Sequence, residues 1–215
     1  MKNFLILGAS AFAHHLCRDL YDTGAKILLA DPDESAMEDL LPYVVSARIC
    51  DCTNTDVLKS FGVSNFDCCF VCMDEDILGS LEATDTLKEL GAKKIISHAG
   101  QDIQAKFLQR NGADYVIYPD KDVALQIAIS ESSDDIFSTF QLARDYYVFE
   151  IRILDEWVGR SINELNFRNR YNLNIIGLKK ENEIQPIINP NFTMPENEHL
   201  MVVGKMEDVK KVIRK

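Results

Sequence analysis

The sequence predicts an α/β protein, in which a doubly wound parallel sheet of six strands is followed by a small α+β domain. Over residues 1–120 apolar runs alternate with helical segments, and residues 67–73 are apolar on both faces, as in a central parallel strand. Over residues 147–154, by contrast, polar and apolar side chains alternate, which is typical of a strand with one exposed face. This change of pattern indicates two domains.

The first domain is predicted to contain six strands, over residues 4–7, 26–31, 47–51, 67–73, 94–98 and 115–118. Helical spacing fills the intervals, starting near Ala11 and continuing over residues 34–44, 53–61, 77–90 and 102–111. Gly62, Gly91 and Gly112 follow three of these helices, where glycine commonly ends a helix. Strands that alternate with helices predict parallel pairing through right-handed crossovers.

The second domain is expected over residues 143–215, after a first domain at 1–120 and a crossover helix or linker at 121–142. Residues 122–140 have a mostly helical pattern, interrupted by the polar run 131–135. Strands are predicted over 147–154, 174–179, 183–188 and 199–203, with a turn at 180–182 and helices over 161–171 and 207–214. Ser161 and Glu164 have the spacing of a capping box. A domain of ~70 residues is marginal alone, so we expect pairing to stabilise it.

Composition narrows the possible partners. The net charge is −11 and basic residues are not clustered, so we expect no nucleic acid partner. We expect no signal peptide, and no apolar run approaches the ~18 residues of a membrane span. We therefore expect a cytoplasmic protein without direct membrane insertion.

The six cysteines fit a reducing compartment. Cys68, Cys69 and Cys72 lie in the apolar run 67–73, without the paired CxxC spacing of a zinc site. We interpret these three and Cys17, Cys50 and Cys52 as ordinary buried thiols.

The first strand and the segments after it have the frame of a nucleotide-binding Rossmann-like unit. Gly8 follows the first strand, a helix begins near Ala11, and Asp31 ends the second strand 23 residues after Gly8. Helix N–H groups there favour a phosphate, and a carboxylate at Asp31 suits ribose hydroxyls. Two interpretations without a nucleotide stay open. Gly8 can be the turn glycine that any such unit needs, and Asp31, as an acid at a strand end, can simply cap a helix.

Two glycines of the usual fingerprint are replaced. Ser10 stands where glycine lets the backbone approach a pyrophosphate, and Ala13 stands at the helix–strand packing position. Asp74, Glu75 and Asp76 would lie near any phosphates and repel them unless a divalent cation intervenes. The pattern predicts a retuned phosphate site.

Longer motifs extend over both domains. Those of the first domain are the Gly8-Ala-Ser-Ala-Phe-Ala turn, Asp31, Asp51-Cys-Thr53, residues 107–114 and Tyr118-Pro-Asp120. Those of the second are Glu156-Trp-Val-Gly-Arg-Ser161, Asn163-Glu-Leu165, Arg168, Tyr171 and Asn174-Ile-Ile176. Over nearly all of its residues the chain resembles the RCK (KTN) proteins, with RCK_N (TrkA-N) and RCK_C (TrkA_C) domains. These are cytosolic regulatory subunits of Ktr and Trk potassium-uptake systems.

The resemblance implies a ligand-gated homodimer, often assembled into an octameric ring below a potassium channel subunit of Trk or Ktr type. ATP, ADP or NAD(H) in the first domain would change the shape of the ring. Thirteen positions match the nucleotide site of the family. Those around the phosphates are Gly8, Ser10, Ala11, Phe12 and His98, and those at the ribose are Asp31 and Asp33. Those at the adenine are Asp51, Cys52 and Thr53, those that close the pocket are Met73 and Asp74, and the last is Asp120. Asp120 matches an acid that helps hold a divalent cation, Mg²⁺ or Ca²⁺.

One departure from the family concerns ligand choice. Ala11 stands where Ktr-type relatives place an arginine that grips the terminal phosphate, and His98 stands where many carry lysine or arginine. With these cations missing, we expect AMP, ADP or NAD(H) to be favoured over ATP.

The second domain matches a further site of some relatives, which bind cyclic di-AMP between two protomers. The matching positions are Arg168, Asn174, Ile175, Ile176 and Pro190. The alternative is that Ile175 and Ile176 are strand core and that Arg168 forms a surface ion pair.

Two other function classes compete. A stand-alone nucleotide or redox sensor could use Cys52 as an oxidisable group, although no lysine or arginine is adjacent to activate it. An NAD-dependent oxidoreductase would need an acid–base group beside the nicotinamide, and His98 has no catalytic partner evident in the sequence. We therefore expect a regulatory protein that is not an enzyme.

Overall fold

The computed structural model of the chain describes residues 1–143, 145–181, 183–187 and 189–213. They form two compact units, Met1–Asp120 and Lys121–Lys215, and each has its own sheet and its own core. Within the described ranges, no helix has the length and apolar character needed to cross a membrane.

Six strands form the sheet of the first unit: β1 (Asn3–Leu7), β2 (Lys26–Asp31), β3 (Ser46–Ile49), β4 (Cys68–Val71), β5 (Ile95–His98) and β6 (Tyr115–Ile117). All pairs are parallel and the order is β3-β2-β1-β4-β5-β6. The predicted doubly wound sheet is confirmed. Its strand order reverses between β1 and β4, which is where such sheets bind ligands.

The helices of this unit are α1 (Ala11–Asp22), α2 (Glu34–Met37), α3 (Thr55–Ser60), α4 (Ile77–Glu89) and α5 (Asp102–Arg110). The prediction of one helix over residues 34–44 is wrong, because α2 passes into a 3₁₀ segment at Glu38–Tyr43. Pro42 lies in that segment, and its ring and missing N–H disfavour a continuous α-helix.

The cysteines of the first unit lie in its core, as expected. Five of the six are buried and Cys50 is partly buried. Burial raises the pKa of the Cys17 and Cys69 thiols to about 12, so they are protonated at neutral pH.

The second unit contains α6 (Pro119–Ser130), β7 (Ile136–Ala143), β8 (Tyr146–Arg152), α7 (Ile162–Leu165), α8 (Phe167–Tyr171), β9 (Asn174–Lys180), β10 (Glu183–Pro186), β11 (His199–Lys205) and α9 (Met206–Ile213). Helix α6 begins at the junction of the two units. The five strands pair in the antiparallel order β10-β9-β11-β8-β7. Three predicted boundaries fall on Asn182, Ile188 and Arg214, which lie outside the described residues.

The predicted helical stretch 122–140 is partly wrong. Helix α6 ends at Ser130, and β7 begins at Ile136. Thr139 pairs with Phe149, and Phe140 with Val148, so β8 supplies the backbone partners that make this segment a strand. The strand also occupies most of the second half of the expected linker.

The segment over residues 161–171 forms two short helices instead of one. The capping box is present, with Glu164 N–H donating to Ser161 Oγ at 3.2 Å and Ser161 N–H to Glu164 Oε2 at 2.7 Å. Asn166 then adopts φ +45°, a left-handed conformation that separates α7 from α8. Trp157 is fully buried beside them and donates from Nε1 to Tyr171 Oη at 2.8 Å.

A buried charge cluster lies on the sheet of the second unit. Glu150 of β8 is 5% exposed, and its carboxylate accepts from Lys179 Nζ and His199 Nδ1, each at 2.7 Å. The His199 ring stacks on Phe137, with centroids 3.8 Å apart. Burial by itself would raise the pKa of Glu150, but the hydrogen bonds from Lys179 and His199 outweigh it and hold that pKa below its ordinary value.

This cluster predicts a pH-dependent contribution to stability. Because the folded pKa of Glu150 is lowered, the contribution is complete above the unfolded pKa and is lost as pH falls through the folded pKa. We expect Glu150→Gln to lower the free energy of unfolding most at pH ~7 and progressively less toward pH ~3.5. Urea unfolding of both proteins across this range measures the difference, and a constant difference would contradict the prediction.

Candidate functional site

A cleft of about 410 Å³ lies at the carboxyl ends of the central strands of the first unit. Its walls are the turn after β1, the segment between β2 and α2, and the loop after β4. The structure brings together eight of the thirteen positions predicted for a nucleotide, namely Gly8, Ser10, Ala11, Asp31, Asp33, Cys52, Met73 and Asp74. The cleft coincides with the reversal of strand order.

Gly8 makes the turn that opens the cleft. It has φ +93°, and its N–H donates to Ala30 O at 2.8 Å while Cys72 N–H donates to Leu7 O at 2.7 Å. A Cβ at this position would collide with the carbonyl oxygen of Cys72. The site therefore requires glycine both for its backbone conformation and for the close approach of two strand ends.

Ser10 precedes the first residue of α1 and has extended backbone angles. Its Oγ does not cap the helix; it is buried and has no hydrogen-bond partner among the described residues. The N-terminus of α1, which lines the cleft at Ala11, supplies N–H groups and a favourable dipole for an anion.

Asp31 and Asp33 support the wall on the β2 side. Asp31 Oδ2 accepts from Ala9 N–H at 2.7 Å, and its Oδ1 accepts from Asp33 N–H at 2.8 Å, so the carboxylate holds both turns. Asp33 caps α2 by accepting from the hydroxyl and the N–H of Ser35, which lower its pKa. The residue that caps a helix here is thus Asp33, whereas Asp31, the acid at the strand end for which capping was the alternative, accepts from the N–H groups of two turns.

Phe12, Asp74 and His98 form one group at the other side of the cleft. His98 Nδ1 lies 3.2 Å from Asp74 Oδ1, and the Phe12 and His98 rings are 4.9 Å apart between centroids. Both the nitrogen and the oxygen are buried, but neither has a hydrogen bond of good geometry with any described residue. Of these three residues Asp74 lines the cleft, whereas Phe12 and His98 do not.

The electrostatics of the cleft are acidic. Carboxylates line it at Asp31, Asp33, Asp74, Glu75 and Asp76, and none of its described lining residues is lysine or arginine. Like charges at this density disfavour a ligand with several unneutralised phosphates.

Cys52 lies buried in the cleft wall and its thiol contacts Ala30 O at 3.3 Å. Burial raises its pKa to about 12, so the thiolate that oxidation requires is scarce at neutral pH. This weighs against the redox-sensor alternative.

Three predicted positions lie away from the cleft. Asp51 accepts from the N–H and hydroxyl of Thr53 at 2.9 and 2.7 Å, which fixes the entry to α3 and leaves both residues outside the lining. Asp120 is exposed near the start of α6. Among the described residues, no three His, Cys, Asp or Glu side chains are grouped as a metal site would need. The cation role of Asp120 stays a prediction.

The sequence reasoning missed Ala36, which lines the cleft from α2. His14 of α1 donates from Nε2 to Ala36 O at 3.0 Å and so ties α2 to the cleft. A small residue in a short helix gives no signal of its own in the sequence, and the helical spacing of residues 34–44 indicated only that a helix begins there.

A smaller pocket of about 230 Å³ lies in the second unit. Four of the five positions predicted there line it, namely Arg168, Asn174, Ile175 and Pro190. Ile176 does not line it and is 43% exposed.

Comparison with known proteins now bears on both units. Residues 4–119 match the TrkA-N domain and residues 148–215 match the TrkA-C domain. The chain belongs to the TrkA-N/TrkA-C family. These two domains account for the order of the two units along the chain, as the RCK resemblance predicted.

Curated relatives within this family include two proteins of Bacillus subtilis (strain 168). Ktr system potassium uptake protein C is 30% identical over 210 residues, which cover 97% of this chain and 94% of that protein. Ktr system potassium uptake protein A is 29% identical over 210 residues, which cover 98% and 95%. The relation thus extends over nearly the whole length of each protein.

A solved structure shares the fold of this TrkA-N/TrkA-C chain. The "GsuK channel bound to NAD" superposes with a TM-score of 0.67 at 16% identity, covering 96% of this chain. This chain spans only 38% of that one. The likeness establishes the fold.

Proposed function

We propose that this chain is a nucleotide-responsive regulatory subunit of a Ktr-type potassium uptake channel. The observation that carries the proposal is the Ser10 hydroxyl: Ser10 lines the cleft beside the N-terminus of α1, and its buried Oγ has no hydrogen bond to a described residue. Such an atom costs about 1–3 kcal/mol, and a bound ligand can remove that cost. The Ktr relatives support the channel part of the proposal.

The proposed ligand is an adenine nucleotide, with AMP, ADP or NAD(H) favoured over ATP. The acidic lining supports this choice because it lacks a cation to neutralise a third phosphate. NAD in the GsuK neighbour supports a dinucleotide as well. A Mg²⁺ or Ca²⁺ ion beside Asp120 would permit ATP by neutralising its phosphates.

The proposed assembly is a homodimer that builds a ring, up to an octamer, beneath the membrane subunit. Helix α6 supports this, because Val123, Leu125 and Ile127 are 50%, 42% and 58% exposed. Large apolar side chains on more than one face of a helix favour burial against another chain. Self-association would bury them.

The test is potassium flux into liposomes that hold a Ktr-type membrane subunit with this chain added. We expect added ADP or ATP with Mg²⁺ to change the flux, and Ser10→Ala to require more nucleotide for the same change, by about tenfold. Thr23→Ala, which alters an exposed hydroxyl outside the cleft, serves as the control. A potassium flux that changes neither when the chain is added nor when the nucleotide is added would contradict the proposal.

We also propose that the pocket of the second unit binds cyclic di-AMP. Its support is that Arg168 and Asn174 line one concave surface together with Ile175 and Pro190. An arginine and an amide suit the phosphates and base edges of such a ligand, and a proline offers a flat apolar face.

Calorimetric titration of the full chain with cyclic di-AMP tests this second site. We expect Arg168→Ala to weaken binding by about tenfold, because one charge-assisted contact is lost. Arg170→Ala is the matched control, since Arg170 lies over the Tyr171 ring and does not line the pocket. Absence of heat and of any thermal shift with the unaltered chain would remove the claim.

A further inference from the structure

A second groove of the first unit, separate from the nucleotide cleft, runs beside β3. It has a volume of about 560 Å³ and is enclosed by α2, the 3₁₀ segment at Glu38–Tyr43 and β3. Strand β3 is the edge of the sheet, and among the described strands it pairs with β2 alone. An edge strand of this kind leaves alternate N–H and C=O groups open to an added strand.

The lining of this groove combines apolar and acidic groups. Met37, Leu41 and Ile49 contribute to its apolar part, and Leu41 and Ile49 are 54% and 57% exposed. Glu34 and Glu38 line it one helical turn apart, and no described lining residue carries a positive charge. An exposed apolar groove with carboxylates at its rim is complementary to an apolar segment that carries lysine or arginine.

We propose that this groove docks an extended basic segment of the membrane channel subunit, added alongside β3. Side chains at alternate positions of the segment would face the groove, with apolar groups against Leu41 and Ile49 and basic groups at Glu34 and Glu38. Charge indicates that the segment comes from the membrane subunit. Cytoplasmic segments of membrane proteins are rich in lysine and arginine, whereas this chain has a net charge of −11. The source of the segment rests on the proposed function.

The position of α2 strengthens the assignment. Asp33, which caps α2, and Ala36 line the nucleotide cleft, while Glu34 and Met37 line the groove. One short helix is therefore the wall of both. A partner segment in the groove would contact the element that contacts the nucleotide, as a regulated partner needs to.

The test uses the full chain and a fluorescent heptapeptide, Lys-Ser-Leu-Ser-Leu-Ser-Lys, which as a strand presents lysine and leucine on one face. We expect saturable binding by anisotropy, and about tenfold weaker binding by the double variant Glu34→Lys, Glu38→Lys. The charge-matched double variant Glu82→Lys, Glu89→Lys alters exposed acids of α4 and should bind the peptide as the unaltered chain does. The same residues in the order Lys-Lys-Ser-Leu-Leu-Ser-Ser should bind at least about tenfold more weakly.

Several results would overturn the proposal. An equal loss of peptide binding in both double variants would mean that the peptide is attracted by the overall negative charge of the chain. Equal binding of both peptides would exclude an added strand. A changed oligomeric state in Leu41→Glu, but not in Val45→Glu outside the groove, would mean that a second copy of the chain covers it. The variant Glu34→Lys, Glu38→Lys also separates this proposal from the proposed function. If it loses peptide binding but keeps ADP binding and nucleotide-dependent potassium flux, the groove is not the docking site and the proposed function stands.

Discussion

Replacing Gly8 by alanine is expected to lower the free energy of unfolding by about 2–4 kcal/mol. The backbone at Gly8 has φ +93°, where an L side chain is strained, and the added Cβ would meet the carbonyl of Cys72. Because Cys72 directly follows β4, relief requires β1 and β4 to move apart at the head of the cleft. Nucleotide binding should be lost with it.

Gly24→Ala separates the two causes of this loss. Gly24 has φ +78° but no atom lies within 4 Å of a Cβ built there, so only the backbone conformation is penalised. We expect about 1 kcal/mol from this control. Urea unfolding followed by far-ultraviolet circular dichroism suits the measurement, since the single tryptophan, Trp157, reports on the second unit. Equal effects of the two substitutions would contradict the close approach at Gly8.

Introducing arginine at Ala11 is expected to raise the affinity for Mg²⁺-free ATP by about tenfold to a hundredfold. Ala11 is exposed, is the first residue of α1 and lines the cleft, so a guanidinium there can reach phosphate oxygens and offset the nearby carboxylates. A cation at a helix N-terminus opposes the helix dipole and costs stability of about 0.3–1 kcal/mol, which the fold can tolerate.

Calorimetry of the unaltered chain gives the baseline, on which we expect ADP to bind more tightly than ATP without Mg²⁺. Ala11→Gln is the control, because glutamine adds comparable length without charge. Tight Mg²⁺-free binding of ATP by the unaltered chain would contradict the retuned site. An equal gain for AMP and ATP in the arginine variant would mean that the terminal phosphates do not lie at α1.

Much of the first unit follows from local pattern. Its strands are continuous apolar runs bounded by turn residues and alternating with helices, and this combination is typical of strands buried between the helices of a parallel sheet. The secondary structure was predicted wrongly where a strand distant in the sequence decides the conformation. Ile136–Ala143 has apolar residues compatible with a helix, but β8 offers it a ladder of hydrogen bonds.

The structure brings part of the predicted nucleotide site together, and its role stays a prediction. Position at a strand end was enough to bring Gly8, Ser10 and Asp74 to one cleft, because the carboxyl ends of parallel strands share one edge. It was not enough for Asp51, whose carboxylate is engaged by Thr53 in its own turn. Spacing cannot reveal whether a side chain is engaged by its neighbours.

By itself, therefore, the sequence determined the two domains, the doubly wound sheet and the acidic, cation-poor character of the cleft, since these depend on periodicity and composition. Only the tertiary structure decided that Ser10 Oγ is buried without a hydrogen bond to a described residue, and that Asp74 Oδ1 lies 3.2 Å from His98 Nδ1. The physical reason is that these residues lie at the carboxyl ends of β1, β4 and β5, so their partners depend on elements that are distant in the chain. The same holds for the groove beside β3, where the edge position of the strand is a property of the whole sheet.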